Sequence, residues 1–464
     1  MLCSALSWSC LPVCLLLTLT ARVTYARSPQ PLDTLPDSLV NDVKARLAQA
    51  ALLSWELGTR AQALLELDAS NYSVFSPNRP IPQDASGSIS DVMDIARSVV
   101  RNRTNSFTTT ATTTGSATST FTSPSSSSTS LTGLRPLMRD DSAADPASIG
   151  PAVLLAAWTN QQAQDGLDYM AAASDQLAYL YSSAVPKTND GAISHRVTEV
   201  QLWSDFVYMV PPFLAYYGIQ TNNRTLIAAA YEQIRLYRSY LLDKDADNLW
   251  KHVVLGSGRQ GFPGNDEGHW ATGNGWAAAG MLRVLATIKY SNYSDSFQSE
   301  QADLISWTNE IHRGMYSHID STHIFTNYVF PRRSSVNTSF HDAASTALLA
   351  STVYRIALLA EQYHYLPAAE KSREALYSVY NNGSMVHFTS DGWLTPVVNP
   401  HWYGASGEKS AEGQAFVLMM HAAHEEWVRD GSKGANSARR MDVAWSIYIL
   451  SIMVAIFSGL WSGM

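Results

Sequence analysis

Apolar residues recur along most of the chain with the period of about 3.6 residues that is typical of buried helix faces. Two such stretches, 35–67 and 89–100, precede a long polar segment, and the others follow it. The later stretches are 146–158, 163–183, 200–218, 226–242, 275–290, 300–318, 342–363, 367–380 and 411–428. The strict alternation that is typical of strands is almost absent. The pattern therefore predicts an all-α protein of about eleven helices.

This number of helices is close to that of an (α/α)6 toroid, in which six helical hairpins close into a ring and their loops form a funnel at one end. No period of fixed length recurs and the connections differ widely in length, which weakens the alternative of an open helical solenoid. Long polar loops that carry Gly and Trp follow Leu242, His318 and Tyr380. We expect the toroid, with a binding site built by these loops.

The segment 105–133 consists almost wholly of Ser, Thr and small residues, so it cannot bury enough apolar surface to fold. It predicts a disordered, O-glycosylated insert. The region before it is too small for a core of its own, and its two helices must pack on the later ones. We therefore expect one domain over residues 27–430, interrupted by this insert.

The amino-acid composition restricts the classes of function that this chain can have. The chain of 464 residues is 46% hydrophobic and only 16% charged, and its 40 acidic residues exceed the 32 Lys and Arg. This balance argues against nucleic acid as a partner and fits carbohydrate binding. All three cysteines, Cys3, Cys10 and Cys14, lie near the N-terminus. If that end is removed, the mature protein has neither disulfides nor a thiol nucleophile.

Both ends of the chain carry targeting signals. Residues 1–26 predict a signal peptide, with an apolar core at 11–20 and a small-residue cleavage site that ends at Ala26. Six Asn-X-Ser/Thr sequons agree with secretion and with a glycoprotein. They lie at Asn71, Asn102, Asn223, Asn292, Asn337 and Asn382.

The tail 431–464 contains small residues around Gly434, a polar spacer and an apolar run at 443–461. This order predicts a glycosylphosphatidylinositol attachment signal, and a C-terminal transmembrane helix is the alternative. The absence of basic residues after the apolar run disfavours the transmembrane helix. The expected location is the extracellular face of the plasma membrane or the cell wall, or else secretion.

Two segments carry candidate chemistry. Asp205 follows Trp203 at the start of an apolar stretch, upstream of a Pro-Pro pair that we expect to break the helix. Burial raises the pKa of a carboxyl, so a buried Asp205 would be suited to act as a general acid. The sequence 273–275, Gly-Asn-Gly, predicts a tight turn that presents Trp276 to a sugar ring. No His, Asp or Cys spacing indicates a metal site and no phosphate-binding glycine loop is present, so we expect no cofactor.

These motifs resemble those of glycoside hydrolase families 88 and 105, which are the unsaturated glucuronyl and rhamnogalacturonyl hydrolases. The resemblance lies in 191–195, in Trp203-X-Asp205 with the apolar run after it, in 273–276 and in Glu412-Gly413-Gln414-Ala415-Phe416, in that order. It extends over residues 145–427 and implies an (α/α)6 barrel. It also implies an unusual hydrolysis, in which C4 of a 4,5-unsaturated uronic acid is protonated, water adds at C5, and the resulting hemiketal opens.

The resemblance assigns roles to individual residues. It implies that Asp205 is the acid/base and that Asp145 is a second active-site aspartate, although an Asp before Pro at a helix start is also the ordinary N-cap. It implies sugar contacts for Trp203, Trp276 and His252. His195 and Asn274 are further candidates for substrate binding, with a purely structural role as the alternative for each.

One departure from the resemblance concerns Thr272. Several bacterial family 105 members have Arg immediately before the Gly-Asn-Gly-Trp sequence, where it helps to recognise the substrate. Cations available on loops here are Arg196, Lys251, Arg259, Arg332 and Arg333. The departure puts the preference for the leaving sugar in doubt.

The sequence thus predicts a secreted or surface-anchored, cofactor-free monomer that releases unsaturated uronic acid from pectin-derived or rhamnogalacturonan-derived oligosaccharides. Two alternatives stay open at this point. One is a helical-toroid glycosidase that remodels cell-wall α-mannan, whose adjacent Asp pair is not seen in the expected place. The other is a surface protein that binds carbohydrate without catalysis.

Overall fold

The computed structural model describes residues 29–105, 135–259, 264–330 and 339–435. Its helices are α1 Asp37–Ala50, α2 Ser54–Asp68, α3 Ser90–Asn105, α4 Gly150–Trp158, α5 Gln162–Asp165, α6 Tyr169–Tyr181, α7 Phe206–Gln220, α8 Arg224–Leu241, α9 Ala271–Lys289, α10 Gln298–Ser317, α11 Ala343–Ala360, α12 Leu366–Leu376 and α13 Ala411–Arg429. A 3-10 helix, Asp145–Ile149, leads directly into α4.

Short strands lie before α1 and in the connections between helices of the described chain. They are β1 Gln30–Pro31, β2 Leu202–Trp203, β3 Leu242–Asp243, β4 Leu249–Trp250, β5 Val253–Ser257, β6 Gly264–Asp266, β7 Ser378–Val379, β8 Val397–Asn399 and β9 Trp402–Gly407. They form the antiparallel sheets β1–β7, β2–β5–β6, β3–β4 and β8–β9. The sequence pattern missed them because most are only two or three residues long.

Six helices form a closed inner ring. Helices α2, α4, α7, α9, α11 and α13 pack on one another in this order, and α13 packs back on α2. The outer helices α1, α3, α6, α8, α10 and α12 each pack on the inner ring. This arrangement confirms the predicted (α/α)6 toroid.

Position in the ring explains the sequence pattern of each helix. Every residue of α11 from 343 to 357 is buried, whereas α8 buries one face only, through residues such as Ile227 and Ile234. Helices that are apolar all round belong inside, and amphipathic ones belong outside. In the described chain α11 alone is long and apolar enough to cross a membrane, but it lies within the ring.

Helix α7 continues through Pro211 and Pro212, so the predicted break is wrong. A proline in a helix leaves the carbonyl four residues earlier without its N–H partner. The carbonyl that Pro212 leaves free belongs to Tyr208, and it accepts a hydrogen bond from Nη1 of the buried Arg283 (3.2 Å). The carbonyl that Pro211 leaves free, that of Val207, packs against Gly280. The Arg283 contact from α9 therefore compensates for one of the two missing hydrogen bonds.

Further boundaries differ from the prediction, and the stretch 163–183 is divided into α5 and α6. The stretch 35–67 is two helices, because the Glu56 carboxylate accepts the N–H groups of Leu52 and Leu53 (both 2.9 Å) and starts a new helix there. The stretch 200–218 begins as strand β2, and the helix starts only after Asp205. Trp203 and Asp205 therefore lie at the mouth of the ring.

The predicted signal peptide, almost all of the predicted Ser/Thr-rich insert, and the apolar run of the C-terminal tail lie outside the described residues. Asn337 lies outside them too. The five other sequon asparagines, Asn71, Asn102, Asn223, Asn292 and Asn382, are exposed.

Candidate active site

A cavity of about 230 Å³ opens at the end of the ring where the inner helices begin. Trp55 lies in the first turn of α2, Asp145 before α4, Asp205 before α7, Trp270 before α9 and Glu412 in the first turn of α13. The lining also includes Asp140, Asp141, His195, Arg196, Trp203, Met209, His252, Trp276, Pro400, His401 and Tyr403. Helix N-termini carry partial positive charge, so this end of the ring favours an anionic ligand.

Asp145 is held at the cavity together with His195. Ser142 Oγ accepts a hydrogen bond from the Asp145 N–H (3.0 Å) and donates one to the His195 carbonyl (3.0 Å), which ties the two segments together. His195 Nε2 lies 3.4 Å from Asp145 Oδ1. The Asp145 side chain does not cap its helix, so the structure does not support the ordinary N-cap interpretation.

Ionisation is disfavoured for both the Asp145 carboxyl and the His195 imidazole. Burial, with smaller contributions from the carboxylates of Asp140 and Asp205, raises the pKa of Asp145 well above its usual range. Burial, with the charges of Arg196 and His252, lowers the pKa of His195 well below its usual range. At neutral pH His195 is therefore an uncharged hydrogen-bonding group beside Asp145.

Asp205 lies beside a hydrogen-bonded array of His252, Asp266 and Tyr328. His252 Nε2 lies 3.6 Å from Asp205 Oδ2, and His252 Nδ1 lies 3.0 Å from Asp266 Oδ2. Tyr328 donates its hydroxyl hydrogen to the same oxygen of Asp266. Because Asp266 is almost completely buried, it fixes the orientation of the His252 ring.

Burial also raises the pKa of Asp205, and the nearby His252 imidazole opposes this effect. Ser204 Oγ donates to Asp205 Oδ2 at 3.1 Å. Gly273 makes room for that hydroxyl, since a Cβ at this glycine would lie 2.3 Å from Ser204 Oγ. The carboxyl is therefore positioned, partly exposed and biased toward the protonated form.

Aromatic rings form one wall of the cavity. The Trp203 indole stacks on the His195 ring, with centroids 4.9 Å apart and an interplanar angle of 12°. His252 contacts Trp203, Trp270 and Tyr403 at centroid distances of 5.3, 4.6 and 4.5 Å. Flat faces of this kind bind the C–H surfaces of sugar rings.

Glu412 adds a third carboxyl to the cavity. Its Oε1 accepts the indole N–H of Trp55 (2.7 Å), and its Oε2 has no hydrogen-bond partner among the described residues. Burial, followed by the carboxylates of Glu56 and Asp205, raises the pKa of Glu412 well above its usual range. The cavity thus has three carboxyls that resist ionisation.

Arg196 is the one Arg or Lys side chain that lines the cavity in the described parts of the chain. Its guanidinium lies over the Trp203 ring (5.7 Å to the centroid) and pairs with Asp141 on the rim. Lys251 pairs with Glu267 (2.6 Å), and neither it nor Arg259 lines the cavity. The predicted candidates Arg332 and Arg333 lie outside the described residues.

The cavity brings together six of the seven predicted site residues: Asp145, Asp205, Trp203, His252, Trp276 and His195. Trp276 is only 1% exposed and packs against Tyr208 and Phe416, so it forms the floor. Trp203 is more accessible.

Asn274 does not line the cavity, in contrast to its prediction as a substrate-binding residue. Its amide accepts the Trp250 N–H (2.9 Å) and donates to the carbonyls of Trp250 (3.0 Å) and Trp270 (3.1 Å). The Gly-Asn-Gly sequence is not a turn, because it lies in the first turns of α9. Its function is to hold the segments that carry His252 and Trp270.

Thr272 also points away from the cavity. Its hydroxyl donates to Asp342 Oδ2 (3.2 Å), and the residue is completely buried. Asp342 in turn caps α11 through the N–H groups of Ala344 and Ser345. The Thr272 side chain therefore makes a structural hydrogen bond and is not part of the cavity lining.

The sequence interpretation missed several residues of the site. Glu412 begins the motif 412–416 of the family resemblance, but nothing in the sequence indicates that its side chain faces the same cavity as Asp205. Asp266 gave no signal either, because the Asp266–His252 contact depends on the pairing of β5 with β6. Within the described ranges, no group of three His, Cys, Asp or Glu residues is placed to hold a metal ion.

Comparison with known families extends this picture. Residues 139–425, more than half of the chain, match the family described as glycosyl hydrolase family 88. No curated protein matches the chain significantly.

Solved structures share the fold. A possible member of the GH105 family from Klebsiella pneumoniae is 14% identical with a TM-score of 0.57, over 86% of this chain and 96% of that chain. A possible GH105 member from Salmonella enterica is also 14% identical, with a TM-score of 0.56, over 84% and 94% of the two chains. The unsaturated glucuronyl hydrolase from Bacillus sp. GL1, responsible for glycosaminoglycan degradation, is 15% identical with a TM-score of 0.51, over 83% and 94%.

Proposed function

The chain belongs to glycosyl hydrolase family 88, and on this premise we propose that it removes a 4,5-unsaturated uronyl residue from the end of an oligosaccharide. The observation that carries the proposal is a pair of carboxyls in one aromatic-lined cavity, the buried Asp145 and the partly exposed Asp205. Vinyl-ether hydration needs a carboxylic acid that stays protonated at working pH, and burial supplies this condition. Both carboxyls have a raised pKa.

Asp205 is the proton donor in this proposal. Its proton is transferred to C4 of the unsaturated sugar, the oxygen of a water molecule bonds to C5, and a proton of that water returns to the Asp205 carboxylate. The hemiketal formed at C5 then opens and releases the rest of the oligosaccharide. No proton is gained or lost by the enzyme over the cycle, so one side chain serves as acid and base.

Asp145 binds the sugar beside His195. The carboxylate of Asp205 contributes to the raised pKa of Asp145, so the two carboxyls do not ionise together. The neutral imidazole of His195 has a second nitrogen, Nδ1, without a partner in the described chain. A hydroxyl group of the sugar can satisfy that nitrogen.

Activity is expected to fall as pH rises. The acid form of Asp205 is needed, and because burial raises its pKa, that form persists above the usual carboxyl range and disappears as pH passes through the raised pKa. We expect kcat/KM to be highest on the acid side and to decline above it. Initial rates across the pH range in which the protein stays folded measure this, and a rate that rises into alkaline pH contradicts it.

Asp266→Asn is expected to lower kcat by about 10- to 100-fold with a smaller change in KM, because the His252 ring loses its fixed orientation toward Asp205. Steady-state kinetics on an unsaturated uronyl disaccharide measure the effect. Tyr328→Phe removes one of the hydrogen bonds to Asp266 and should act in the same direction with a smaller magnitude. Unchanged kcat in Asp266→Asn shows that His252 needs no such support.

The test of the function is the ultraviolet absorbance of the conjugated double bond during incubation with lyase-digested rhamnogalacturonan and glycosaminoglycan oligosaccharides. Loss of absorbance supports the proposal, and the faster substrate identifies the sugar. Saturated oligosaccharides of the same composition are the control, since they lack the vinyl ether and should stay intact. Stable absorbance on all unsaturated substrates contradicts the proposal.

The substrate source and the location are further parts of the proposal. We place the enzyme outside the cell, anchored through its C-terminal segment, acting on pectin-derived oligosaccharides. Sequence features support this: the signal peptide predicted at 1–26, the apolar run at 443–461, and exposed sequon asparagines such as Asn71 and Asn382. Release from intact cells by a phosphatidylinositol-specific phospholipase tests the anchor, and retention after that treatment contradicts it.

A further inference from the structure

Glu412 is a buried carboxyl whose second oxygen has no partner. The residue is only 3% exposed, its side chain lines the cavity, and its Oε1 is occupied by the Trp55 N–H (2.7 Å). Oε2 has no hydrogen-bond partner within the described residues. An oxygen left unpaired in this way costs free energy unless a ligand satisfies it. Oε2 is thus an unsatisfied polar atom at the wall of the cavity, where a bound molecule can supply its partner.

Acidic groups dominate the surroundings of Glu412 in the described structure. The titratable groups that influence it from neighbouring elements are Glu56 on α2, Asp205 before α7 and Asp342 before α11, and all are acids. His401, on the β8–β9 hairpin, approaches Glu56 at 4.0 Å. A buried carboxylate without a cation is strongly disfavoured, so Glu412 is neutral when the cavity is empty.

The position of the proton follows from the Trp55 contact. Because an indole N–H can only donate, Oε1 acts as the acceptor and the carboxyl hydrogen belongs on Oε2. The hydroxyl of Glu412 is therefore a hydrogen-bond donor toward a ligand in the cavity. Its ideal partner is a strong acceptor, and a carboxylate is the strongest acceptor that a uronic acid offers.

The substrate carboxylate needs such a partner. Thr272 is bound to Asp342, and Arg196 is already paired with Asp141. An ionised acid at the position of Glu412 would repel the uronate, whereas a neutral one attracts it.

We propose that Glu412 is a specificity-determining residue that donates a hydrogen bond from Oε2 to the carboxylate of the unsaturated uronyl group, an inference that rests on the proposed function. The ligand recognised at this point is a sugar carboxylate, and a neutral or esterified sugar is discriminated against. Trp55 is the positioning residue, since it determines which oxygen carries the hydrogen.

The experiment compares an unsaturated uronyl disaccharide with its C6 methyl ester on wild type, Glu412→Leu and Glu412→Gln. KM is measured from the double-bond absorbance and Kd from tryptophan fluorescence, so binding is read even without turnover. Wild type should prefer the acid by about 10- to 100-fold, the value of a hydrogen bond to a charged group. Glu412→Leu should lose most of this preference, and the exposed Glu408→Gln is the matched control.

Glu412→Gln separates a donor from an acceptor. Its amide keeps a donor next to the cavity but cannot ionise, so the preference for the acid should persist. In wild type KM should rise with pH as Glu412 loses its proton, and in Glu412→Gln this part of the rise should vanish. Thermal unfolding midpoints of all variants verify that the fold is kept.

Equal acid-to-ester preference in wild type and Glu412→Leu overturns the inference. Loss of the preference in Glu412→Gln as well overturns the donor role. If wild type binds the acid selectively but never consumes the double bond, the proposed reaction fails, while the fluorescence comparison still decides the role of Glu412.

Discussion

Asp205→Asn is expected to lower kcat on an unsaturated uronyl oligosaccharide by about 10³-fold, because an amide cannot transfer a proton to C4. The change conserves shape, and the Ser204 hydroxyl can still donate to the remaining oxygen. Since KM reports binding that the amide largely preserves, we expect the loss in kcat. Double-bond absorbance with saturating substrate measures it.

Stability should not fall with this substitution. The pKa of Asp205 is raised by burial, so its charged form is disfavoured in the folded state and its ionisation destabilises the fold as pH rises through that pKa. Asn removes this effect, and the midpoint of thermal unfolding at neutral pH should stay equal or increase. Asp33→Asn, at an exposed aspartate outside the cavity, is the control and should keep full activity.

The isotope content of the product gives an independent check. In D2O the wild-type reaction should place one deuterium at C4 of the released uronic acid, because the proton on Asp205 exchanges with solvent. A variant that keeps more than a tenth of wild-type kcat would mean that another group, with Asp145 or Glu412 as the nearest candidates, supplies the proton.

Gly280→Ala is expected to reduce the free energy of unfolding by about 3 kcal/mol. In an ordinary helix this change is favourable by about 0.5–1 kcal/mol, because glycine loses more entropy on folding. Here a Cβ would lie 2.1 Å from the carbonyl oxygen of Val207 and 2.7 Å from the backbone nitrogen of Tyr208. These are backbone atoms of the neighbouring inner helix, so α7 and α9 must move apart.

Denaturant titration followed by circular dichroism measures this effect. The matched control is Gly87→Ala, where no heavy atom lies within 4 Å of the new Cβ, and its free energy of unfolding should change by no more than about 0.5 kcal/mol. Activity should fall together with stability, because Tyr208 packs under Trp276 in the cavity floor (4.3 Å between ring centroids). Equal midpoints for the two variants would show that the ring widens without cost.

Local sequence determined the type and approximate number of the helices. Apolar periodicity is a property of each segment. The outer helix α8 has apolar residues on one face, and the inner helix α11 is apolar all round, so the sequence of each indicates how much of it is buried. Boundaries failed where side chains from elsewhere intervene. Pro211 and Pro212 looked like a break because the compensating donor, Arg283, lies 75 positions away from Tyr208 in the chain.

The residues of the site also differ in how far the sequence predicts them. Asp205, Asp145 and their aromatic neighbours could be identified because ordered motifs along the chain carry a family resemblance, and the structure placed six of the seven predicted residues around one cavity. Asn274 could not be interpreted correctly, since an amide at a helix start serves a backbone or a sugar equally well until its partners, Trp250 and Trp270, are known.

What the sequence by itself determined is therefore a ring of helices and a pair of acids with a plausible chemistry. Only the tertiary structure decided the protonation state of these acids. The pKa of Asp145, Asp205 and Glu412 is raised because closing the ring removes water from their surroundings and brings carboxyls of different helices together. Desolvation and charge proximity depend on distances in space, and the spacing of residues along the chain does not contain them.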